Sequence, residues 1–573
     1  MASSKSSSSP AHPSSMQIPF LICLLLISLL LLLSALSLKP QKSPPPKFTY
    51  RLLRHEEQEI AEPPAWFDFI ARHLKTDRVR VGLVNIDQKL DASLLQHLPP
   101  RVETVPVNFD RVDENLKWKD FFPEWIDEDQ KRGPPRCPRM PMPVARRDLN
   151  VVVARVPCGR KDEGVRDVSR LQVNLVVANL TVESGWLNVD SHRTVYVVFV
   201  GRCSPMIEIF RCDDLVTHEG EYWVYKPQLS RLRKLTLMPV GSCQIAPNFA
   251  ETGKELRGHY MSQSAQLKNN NATMRAPRVA YATILHSSEA YVCGAIALAQ
   301  SILHTLKHYP LKPSADLILL ADESISPKST RGLQTAGWKI KRIKRILSPF
   351  AKKNSYNRWN YSKLQLWKLT QYDKVIFIDS DLLVLKNIHD FSAYPQLSAA
   401  PNDFSFFNSG LMIIEPSQCL FDEMMKKRFE VESYNGGDQG FLNEIFTWWH
   451  RLPSKLNHLK FHERRGNKDA EKETELEGVY AIHYLGLKPW MCYKDYDCNW
   501  DLKDHRVFAS DFANRKWWQV YEKMPKDLQS YCGLTKKMDE RLMMWRSRAR
   551  NSSLDSGHWK IKIKDPRRKH FVG

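Results

Sequence analysis

The sequence predicts an α/β protein whose C-terminal half is built around a mainly parallel sheet. Two observations support this fold class. Strand-like and helix-like segments alternate after Pro277, and some of the strand-like segments are buried apolar runs. In open sheets of this kind, ligands bind in the crevice at the carboxyl ends of the strands. We therefore expect functional residues directly after the predicted strands.

The elements of this half are predicted from their apolar patterns. The predicted strands are Arg278–Leu285, Leu317–Ala321, Trp338–Ile343, Lys374–Ile378 and Leu411–Ile414. The predicted helices are Ala290–Leu306, Tyr361–Gln371 and a segment that begins near Phe441. The strand ending at Ile378 runs directly into Asp379, Ser380 and Asp381, which places an acidic motif at the mouth of the sheet.

The region before this sheet, residues 48–250, is predicted to be β-rich and has no motif to which we assign a chemical role. Its predicted strands are Asn150–Val156, Leu171–Val182, Thr194–Gly201 and Tyr222–Tyr225. The apolar periodicity then fades, which predicts a linker at 251–276. The α/β domain is expected over 277–545, followed by a basic C-terminal tail at 546–573.

Size and composition fit a protein with more than one globular unit. The chain has 573 residues, of which 43% are hydrophobic and 26% are charged, as is ordinary for folded proteins. Its net charge of +21 suits nucleic acid, an anionic membrane surface or an acidic small substrate. Nucleic acid is disfavoured because the basic residues are dispersed and no aromatic-interleaved RNA-binding motif is found.

An apolar segment near the N-terminus, Ile18–Leu38, predicts a membrane anchor. Its uncharged residues, at about 1.5 Å rise each, are enough to cross a bilayer core of about 30 Å. A cleaved signal peptide is the alternative, but its apolar region covers only about 7–15 residues. We therefore expect an uncleaved anchor between a Ser- and Pro-rich tail, residues 1–17, and a stiff Pro-rich stem, residues 39–47.

Sequence signals for the orientation of this anchor conflict. Basic residues are concentrated after the span, so the positive-inside rule alone would leave the large domain in the cytosol. Sequons for N-glycosylation, which indicate a lumenal domain, occur at Asn179, Asn271, Asn360 and Asn551.

The cysteines also suit a lumenal, disulfide-permissive compartment. Of the 11 cysteines, Cys23 lies within the apolar span, which leaves an even ten beyond it. The closest pairs, Cys203/Cys212 and Cys492/Cys498, lack the repeated spacing of a zinc site. We interpret these cysteines as structural, in disulfides rather than at a metal.

The candidate chemistry centres on Asp379 and Asp381. Two carboxylates on a rigid support can hold a divalent ion that prefers oxygen ligands while leaving positions for phosphate oxygens. Alone the motif is weak, because Asp and Ser are ordinary turn residues.

Three further motifs strengthen it. They are Asn408-Ser409-Gly410, Asn435-Gly436-Gly437-Asp438-Gln439, and His483-Tyr484-Leu485-Gly486-Leu487-Lys488. The last of these supplies an imidazole and a lysine from one loop, a metal ligand and a phosphate-pairing cation.

In this order, the motifs resemble the glycogenin-like glycosyltransferases, family 8, which have the GT-A (nucleotide-diphospho-sugar transferase, Rossmann-like) fold. The resemblance covers about Ala280 to Trp490, and Tyr361–Leu385 is similar to the central family signature. It implies that Asp379, Asp381 and His483 bind Mn²⁺ and that Lys363, Gly486 and Lys488 meet the diphosphate. It also implies that Thr283, Leu285 and Tyr291 embrace the uridine, and that Asn408, Ser409, Gly410, Asp438 and Gln439 surround the donor sugar and the acceptor hydroxyl.

Within the family, the anchor, the stem, the N-terminal region and the sequence from His483 to Trp490 are most similar to plant glucuronosyltransferases that decorate xylan. That resemblance implies UDP-glucuronate as the donor, xylan as the acceptor, and a type II, single-pass Golgi membrane protein with a lumenal catalytic domain. It implies nothing about the oligomeric state.

The expected reaction retains the configuration of the sugar. We expect same-face attack with help from the leaving phosphate, in which Asp438 orients or stabilises and Lys363 and Lys488 balance the developing charge. Arg358 and Lys353 are candidates to meet the glucuronate carboxylate. Two alternatives stay open: another UDP-sugar transferase of the family, including one that primes starch or glycogen, and a non-catalytic polysaccharide-binding membrane protein.

Overall fold

Two large sheets, one in each half of the chain, organise the protein. The structure is a computed structural model that describes residues 64–572, apart from 75, 88–94, 130, 132, 134–136, 159–164, 188–191, 247–276, 308–314, 403–404, 461–477 and 555–556. All of the described residues belong to one unit, Glu62–Gly573.

The strands and α-helices are numbered in chain order. The strands are β1 (Val79–Val84), β2 (Val102–Val107), β3 (Val151–Arg155), β4 (Tyr196–Val200), β5 (Leu215–Glu219), β6 (Tyr222–Tyr225), β7 (Val279–Leu285), β8 (Ala315–Ala321), β9 (Lys339–Arg342), β10 (Lys374–Ile378), β11 (Leu382–Val384), β12 (Ser398–Pro401), β13 (Phe407–Ile414), β14 (His450–Arg451), β15 (His458–Leu459) and β16 (Ala481–His483). The α-helices are α1 (Ala65–His73), α2 (Trp118–Phe121), α3 (Val168–Gly185), α4 (Leu229–Thr236), α5 (Val292–Lys307), α6 (Pro327–Thr335), α7 (Gln418–Lys427), α8 (Asp438–Ile445), α9 (Asp511–Lys523), α10 (Lys526–Gln529) and α11 (Lys536–Asn551).

The N-terminal region is an α/β structure, which corrects the prediction of a β-rich one. Its sheet has the order β2-β1-β3-β4-β6-β5, in which β1 to β4 are parallel and β5 and β6 are antiparallel. Because β3 and β4 are consecutive and parallel, a crossover must connect them, and α3 provides it.

The prediction of a strand at Leu171–Val182 is wrong, because these residues lie within α3. The helix begins where the side chain of Asp167 accepts a hydrogen bond from the backbone N–H of Arg170. Nearly all of its residues are buried. The helix therefore lacks the polar face that would reveal a helical period in the sequence.

The C-terminal sheet has the order β14-β12-β13-β10-β7-β8-β9. It is mainly parallel, as predicted, with β13 antiparallel to both of its neighbours. A small sheet of order β11-β16-β15 lies beyond the end of β10. Only Ser380 and Asp381 separate Asp379 from the start of β11. The strands that pair with β11 in the small sheet therefore determine which residues lie next to the acidic motif.

Two predicted helices differ in detail. The segment predicted as a helix at Tyr361–Gln371 is a 3₁₀-helix, Tyr356–Lys368. Helix α8 begins at Asp438 rather than near Phe441, because its N-cap is Gly437. The predicted domain boundary at residue 545 falls inside α11, and the basic segment beyond it packs back onto the region, where buried Arg567 donates to the carbonyl of Trp490.

The ten cysteines after the predicted span all form disulfides, so the preference for disulfides over metal is confirmed. The pairs are Cys137–Cys243, Cys158–Cys203, Cys212–Cys419, Cys293–Cys532 and Cys492–Cys498. The neighbours Cys203 and Cys212 therefore bind other partners, whereas Cys492 and Cys498 bind each other.

Some predictions lie outside the described residues. These are the tail at 1–17, the span Ile18–Leu38, the stem at 39–47 and the linker at 251–276. Within the part of the chain that the structure describes, no helix combines the length and the apolar character needed to span a bilayer.

The two regions are joined by a disulfide and a buried charge cluster. Cys212 of the N-terminal region is bonded to Cys419. Beside this bond, Glu415 lies 3.0 Å from the guanidinium of Arg211 and 2.5 Å from the ammonium of Lys374. All three charged side chains are buried, so removal of Glu415 would take a buried counter-charge from Lys374 and from Arg211, which also pairs with Asp213 at 2.7 Å.

Replacing Glu415 with Ala is expected to lower the free energy of unfolding by about 3–5 kcal/mol, because the buried charges of Arg211 and Lys374 would lose a shared counter-charge. Urea denaturation measures the change. The control is Glu423→Ala, which removes an ion pair with the exposed Lys426 and should cost less than about 1 kcal/mol. Equal losses for the two variants would contradict the role of the cluster.

The same cluster predicts a pH dependence. Burial alone would raise the pKa of Glu415, but Lys374 and Arg211 outweigh it and lower the pKa from 4.5 to about 2. A depressed carboxyl pKa stabilises the fold above pH 4.5, and this contribution is lost as the pH falls toward 2. The stability difference between the wild type and Glu415→Gln should therefore narrow across that range, as followed by unfolding midpoints.

Candidate active site

The acidic motif joins β10 to β11 in a tightly packed loop. The backbone N–H of Asp379 donates to the carbonyl of Gly410 at 2.8 Å, which ties the loop to β13. Helix α5 packs against the same loop at Gly294, where an added Cβ would lie only 2.4 Å from the carbonyl oxygen of Ser380. A glycine at this position therefore lets the helix approach the motif closely.

His483 reaches the acidic motif through the small sheet. It is the last residue of β16 and pairs with Leu382, the first residue of β11. One ligand atom from each of Asp379, Asp381 and His483 lies within 4.8 Å of the other two. The structure thus brings together the three residues predicted to bind a metal.

A chain of hydrogen bonds defines which nitrogen of His483 is free. The backbone N–H of Gly410 donates to Oδ1 of Asn408 at 2.8 Å, so the Asn457 group at 2.9 Å from the same oxygen must be its amide NH₂. The oxygen of Asn457 then accepts from Nδ1 of His483 at 3.1 Å. Nε2 is therefore the ring nitrogen that is turned toward the acidic motif.

This tautomer makes the cluster suitable for a cation. Nε2 of His483 lies 3.3 Å from Oδ1 of Asp381, so the nitrogen and the carboxylate face each other. A bound cation would satisfy both of them, and two carboxylates with one neutral imidazole are suitable ligands for a divalent metal ion. Asn457 was not predicted from the sequence, because it stands outside every recognisable motif.

Two buried lysines balance the carboxylates. Nζ of Lys363 lies 3.0 Å from Asp379 and 2.8 Å from Asp438, while Nζ of Lys488 lies 2.8 Å from Asp381. Burial lowers the pKa of Lys363, but Asp379 and Asp438 outweigh it and raise the pKa, so the ammonium is kept. Three carboxylates against two ammonium groups leave one negative charge, which a divalent ion would reverse and so attract an anionic donor.

The two aspartates of the motif are not equivalent. Burial raises the pKa of Asp379 to about 6, Lys363 opposes this shift, and Asp381 reinforces it. Burial would also raise the pKa of Asp381, but Lys488 stabilises its charge and the net shift is downward. Asp381 is therefore the more firmly ionised member of the pair.

Residues predicted around the sugar converge on Asp438. The hydroxyl of Ser409 donates to Oδ2 of Asp438 at 2.7 Å, and the backbone N–H of Ser409 donates to Oε1 of Gln439 at 3.2 Å. Gly410 fits directly against His483, since an added Cβ would lie 2.7 Å from Cε1 of the imidazole.

The loop before α8 places Asp438. Oδ1 of Asn435 accepts hydrogen bonds from the backbone of Gly437 and of Gly440, and Gly436 has a φ of +66°. Asn435, Gly436 and Gly437 are therefore positioning residues in the structure. Of the two cations predicted to meet the sugar carboxylate, Arg358 packs over Trp359 and Lys353 is exposed.

The loop after His483 positions Lys488. Tyr484 is buried, and its hydroxyl donates to the carbonyl of Ala513. Gly486 has a φ of +69°, and Oδ1 of Asn499 accepts from the backbone of Leu487 at 2.8 Å. Leu485 and Leu487 are half-buried. This framework holds the ammonium of Lys488 against Asp381.

The residues predicted to embrace the nucleoside surround the same crevice only in part. Tyr291 packs edge-on against Trp490 and lies 5.9 Å from Nζ of Lys488, so it belongs to the site. Thr283 is fully buried in β7, and its hydroxyl has no hydrogen-bond partner among the described residues. Leu285 is buried at the end of the same strand.

Comparison with known proteins agrees with this site. The family model for glycosyl transferase family 8 matches residues 282–493, and the model for the GUX1-5 N-terminal domain matches residues 57–243. The fold and the acidic site are accordingly those of a GT-A-like glycosyltransferase.

Relatives extend the match to almost the whole chain. They belong to a numbered Arabidopsis thaliana series, UDP-glucuronate:xylan alpha-glucuronosyltransferase. The relative named "Putative UDP-glucuronate:xylan alpha-glucuronosyltransferase 4" is 48% identical over 96% of this chain and 98% of its own length. Member 2 is 46% identical over 90% of this chain and 85% of its own length. Member 1 is 44% identical over 81% of this chain and 68% of its own length. The chain belongs to glycosyltransferase family 8, in the group that carries the GUX1-5 N-terminal domain.

Replacing Asn457 with Leu should weaken divalent metal binding by about 10–100-fold, because the tautomer and orientation of His483 would no longer be fixed. Isothermal titration of the detergent-solubilised full-length chain with Mn²⁺ measures the affinity directly. Asn514→Leu, a change at another buried asparagine, is the matched control. Unchanged metal affinity in a folded Asn457→Leu variant would contradict the relay.

Proposed function

We propose that this protein transfers glucuronate from UDP-glucuronate to xylan, with retention of the sugar configuration. The observation that carries the proposal is the complete Asp379, Asp381 and His483 cluster, with both lysines in place, in a chain that matches the xylan glucuronosyltransferase series through both of its regions. A degenerate binding protein would not need to keep five mutually compensating charged or ligating groups buried together.

We further propose that the metal is Mn²⁺. Asp379, Asp381 and His483 would hold it, and it would supply Lewis-acid stabilisation of the negative charge on the diphosphate. Carboxylate-rich sites suit Mg²⁺, Ca²⁺ and Mn²⁺, and of these three ions Mn²⁺, the only transition-metal ion, accepts an imidazole nitrogen most readily.

The lysines act on the leaving group in the proposed mechanism. Lys488 stands on a rigid loop beside Asp381, and its charge is fixed in place before the substrate arrives. As the bond between the sugar carbon and the phosphate oxygen breaks, negative charge grows on the diphosphate, and a preorganised ammonium stabilises it. The ammonium of Lys363, which lies 3.0 Å from Asp379, stabilises the same developing charge.

Asp438 is proposed to orient the reactants rather than to attack the sugar. Its carboxylate is already held by the ammonium of Lys363 and by the hydroxyl of Ser409, which reduces its nucleophilicity. The acceptor hydroxyl would then attack from the face that UDP leaves. Its oxygen forms the new bond to the sugar carbon, and its proton passes to the departing phosphate oxygen.

The donor specificity can be tested with the full-length chain in detergent and Mn²⁺. UDP-glucuronate should give transfer to xylan oligosaccharides, whereas UDP-glucose and UDP-galactose should give little, because they lack the carboxylate. Mass spectrometry of the acceptor identifies the sugar added. Asp381→Asn should reduce the rate by about 10²–10³-fold. Preferred transfer from another UDP-sugar would refute the assignment of the donor.

We also propose a single-pass Golgi membrane protein whose catalytic region faces the lumen, anchored by Ile18–Leu38. The five disulfides support an oxidising compartment, since such bonds rarely persist in the cytosol. Asn551, one of the four sequons, is exposed at the end of α11 and accessible to glycosylation.

A C-terminal tag tests this topology. In intact Golgi vesicles the tag should resist added protease and become sensitive after detergent, because the domain that carries it faces the lumen. Asn551→Gln should also remove a glycan, seen as a faster gel band. Digestion of the tag without detergent would place the domain in the cytosol.

A further inference from the structure

A pocket of about 290 Å³ lies where the N-terminal region meets the C-terminal sheet. Trp118, Lys119 and Arg166 contribute from the N-terminal region. Phe406, Asn443 and Trp449 are among the residues that contribute from the C-terminal region. No residue of the acidic cluster lines it, so it is separate from the reaction centre.

The pocket is nevertheless connected to the reaction centre by α8. Asp438 begins this helix in the active site, and Asn443 lies five positions later, about 7.5 Å along the axis. The side chain of Asn443 holds both the N–H and the carbonyl of Phe407, which adjoins Asn408 of the site.

A second connection runs through aromatic rings at the surface. Phe406 stacks on the exposed ring of Tyr434, with centroids 5.0 Å apart. The hydroxyl of Tyr434 accepts a hydrogen bond from Nε2 of Gln439, whose Oε1 in turn binds the backbone of Ser409. A ring contact followed by a hydrogen bond therefore connects the pocket with Gln439, the residue beside Asp438.

The chemistry of the pocket favours a carbohydrate. One face of Trp118 rests on Phe122 in a parallel stack with centroids 4.3 Å apart, and the ring also lines the pocket. Flat aromatic walls bind the apolar C–H faces of pyranose rings through contact area.

The charged side chains of the pocket also favour a carbohydrate. Arg166 is paired with Glu444 at 2.8 Å, and Lys119 is exposed at the rim. With one of the two cations already neutralised, the pocket suits hydroxyl groups better than a strongly anionic phosphate.

We propose that this pocket is a remote acceptor subsite that binds a xylose unit of the xylan backbone some units away from the one that receives glucuronate. The inference rests on the proposed function for the identity of the polysaccharide. It assigns the N-terminal region a role in acceptor binding, through Trp118 and Lys119, while the C-terminal region performs the transfer.

Direct binding tests the subsite without any donor. The full-length chain in detergent is titrated calorimetrically with short and long xylan oligosaccharides. Trp118→Ala should raise the Kd for long oligosaccharides about tenfold, as expected for loss of a buried aromatic contact, and leave short ones unchanged. Trp118→Phe should restore most of the affinity. Trp125→Ala, in the same region and 64% exposed, is the matched control and should bind like the wild type.

Kinetics separate the two proposals. With UDP-glucuronate, Trp118→Ala should raise the KM for long acceptors and leave donor hydrolysis unchanged. If the Trp118→Ala variant transferred glucuronate to long xylan acceptors with the same KM as the wild type, the subsite alone would be overturned. Length-dependent binding that Trp118→Ala weakens, without glucuronate transfer, would support the subsite and refute the donor assignment. Equal weakening for short and long oligosaccharides would overturn the subsite, and absence of xylan binding by the wild type would overturn both proposals.

Discussion

The crowding of three carboxylates in one buried crevice is the constraint on which the active site depends. Asp379, Asp381 and Asp438 would repel one another strongly in a medium of low polarity. Lys363 bridges two of them and Lys488 meets the third, yet one negative charge is left. The lysines thus offset most of the repulsion among the carboxylates, and the remaining negative charge would attract a divalent cation.

Such a site works only if its members cannot relax away from one another. Two glycines show how the fold enforces this closeness. Gly294 allows a helix to press on the loop of Ser380, and Gly410 allows β13 to press on His483. A methyl group at either position would force apart the elements that carry the ligands. Close backbone approach thus converts ordinary sheet pairing into a defined distance between ligand atoms.

What the sequence could predict follows from the range of the interactions involved. Asp379 and Asp381 follow a buried strand whose bounds are visible locally, and the motif around His483 is likewise local. The proximity of the two aspartates to His483 depends on the pairing of β11 with β16. Before the structure, only the family resemblance indicated that these three residues lie together. Asn457 escaped prediction because its role arises from two contacts distant in sequence. The prediction of a strand at Leu171–Val182 was wrong because a helix buried on all sides has the same apolar pattern as a buried strand.

Helix α8 links the two halves of the molecule. Its first residue, Asp438, is held by Lys363 in the reaction centre, and near its other end Glu444 holds Arg166 of the N-terminal region. A rigid helix transmits displacement along its axis, so a shift of the N-terminal region at Arg166 would be felt at Asp438. The buried cluster around Glu415 and the Cys212–Cys419 bond oppose such a shift. The N-terminal region thus contacts the far end of the helix whose first residue, Asp438, lies in the active site.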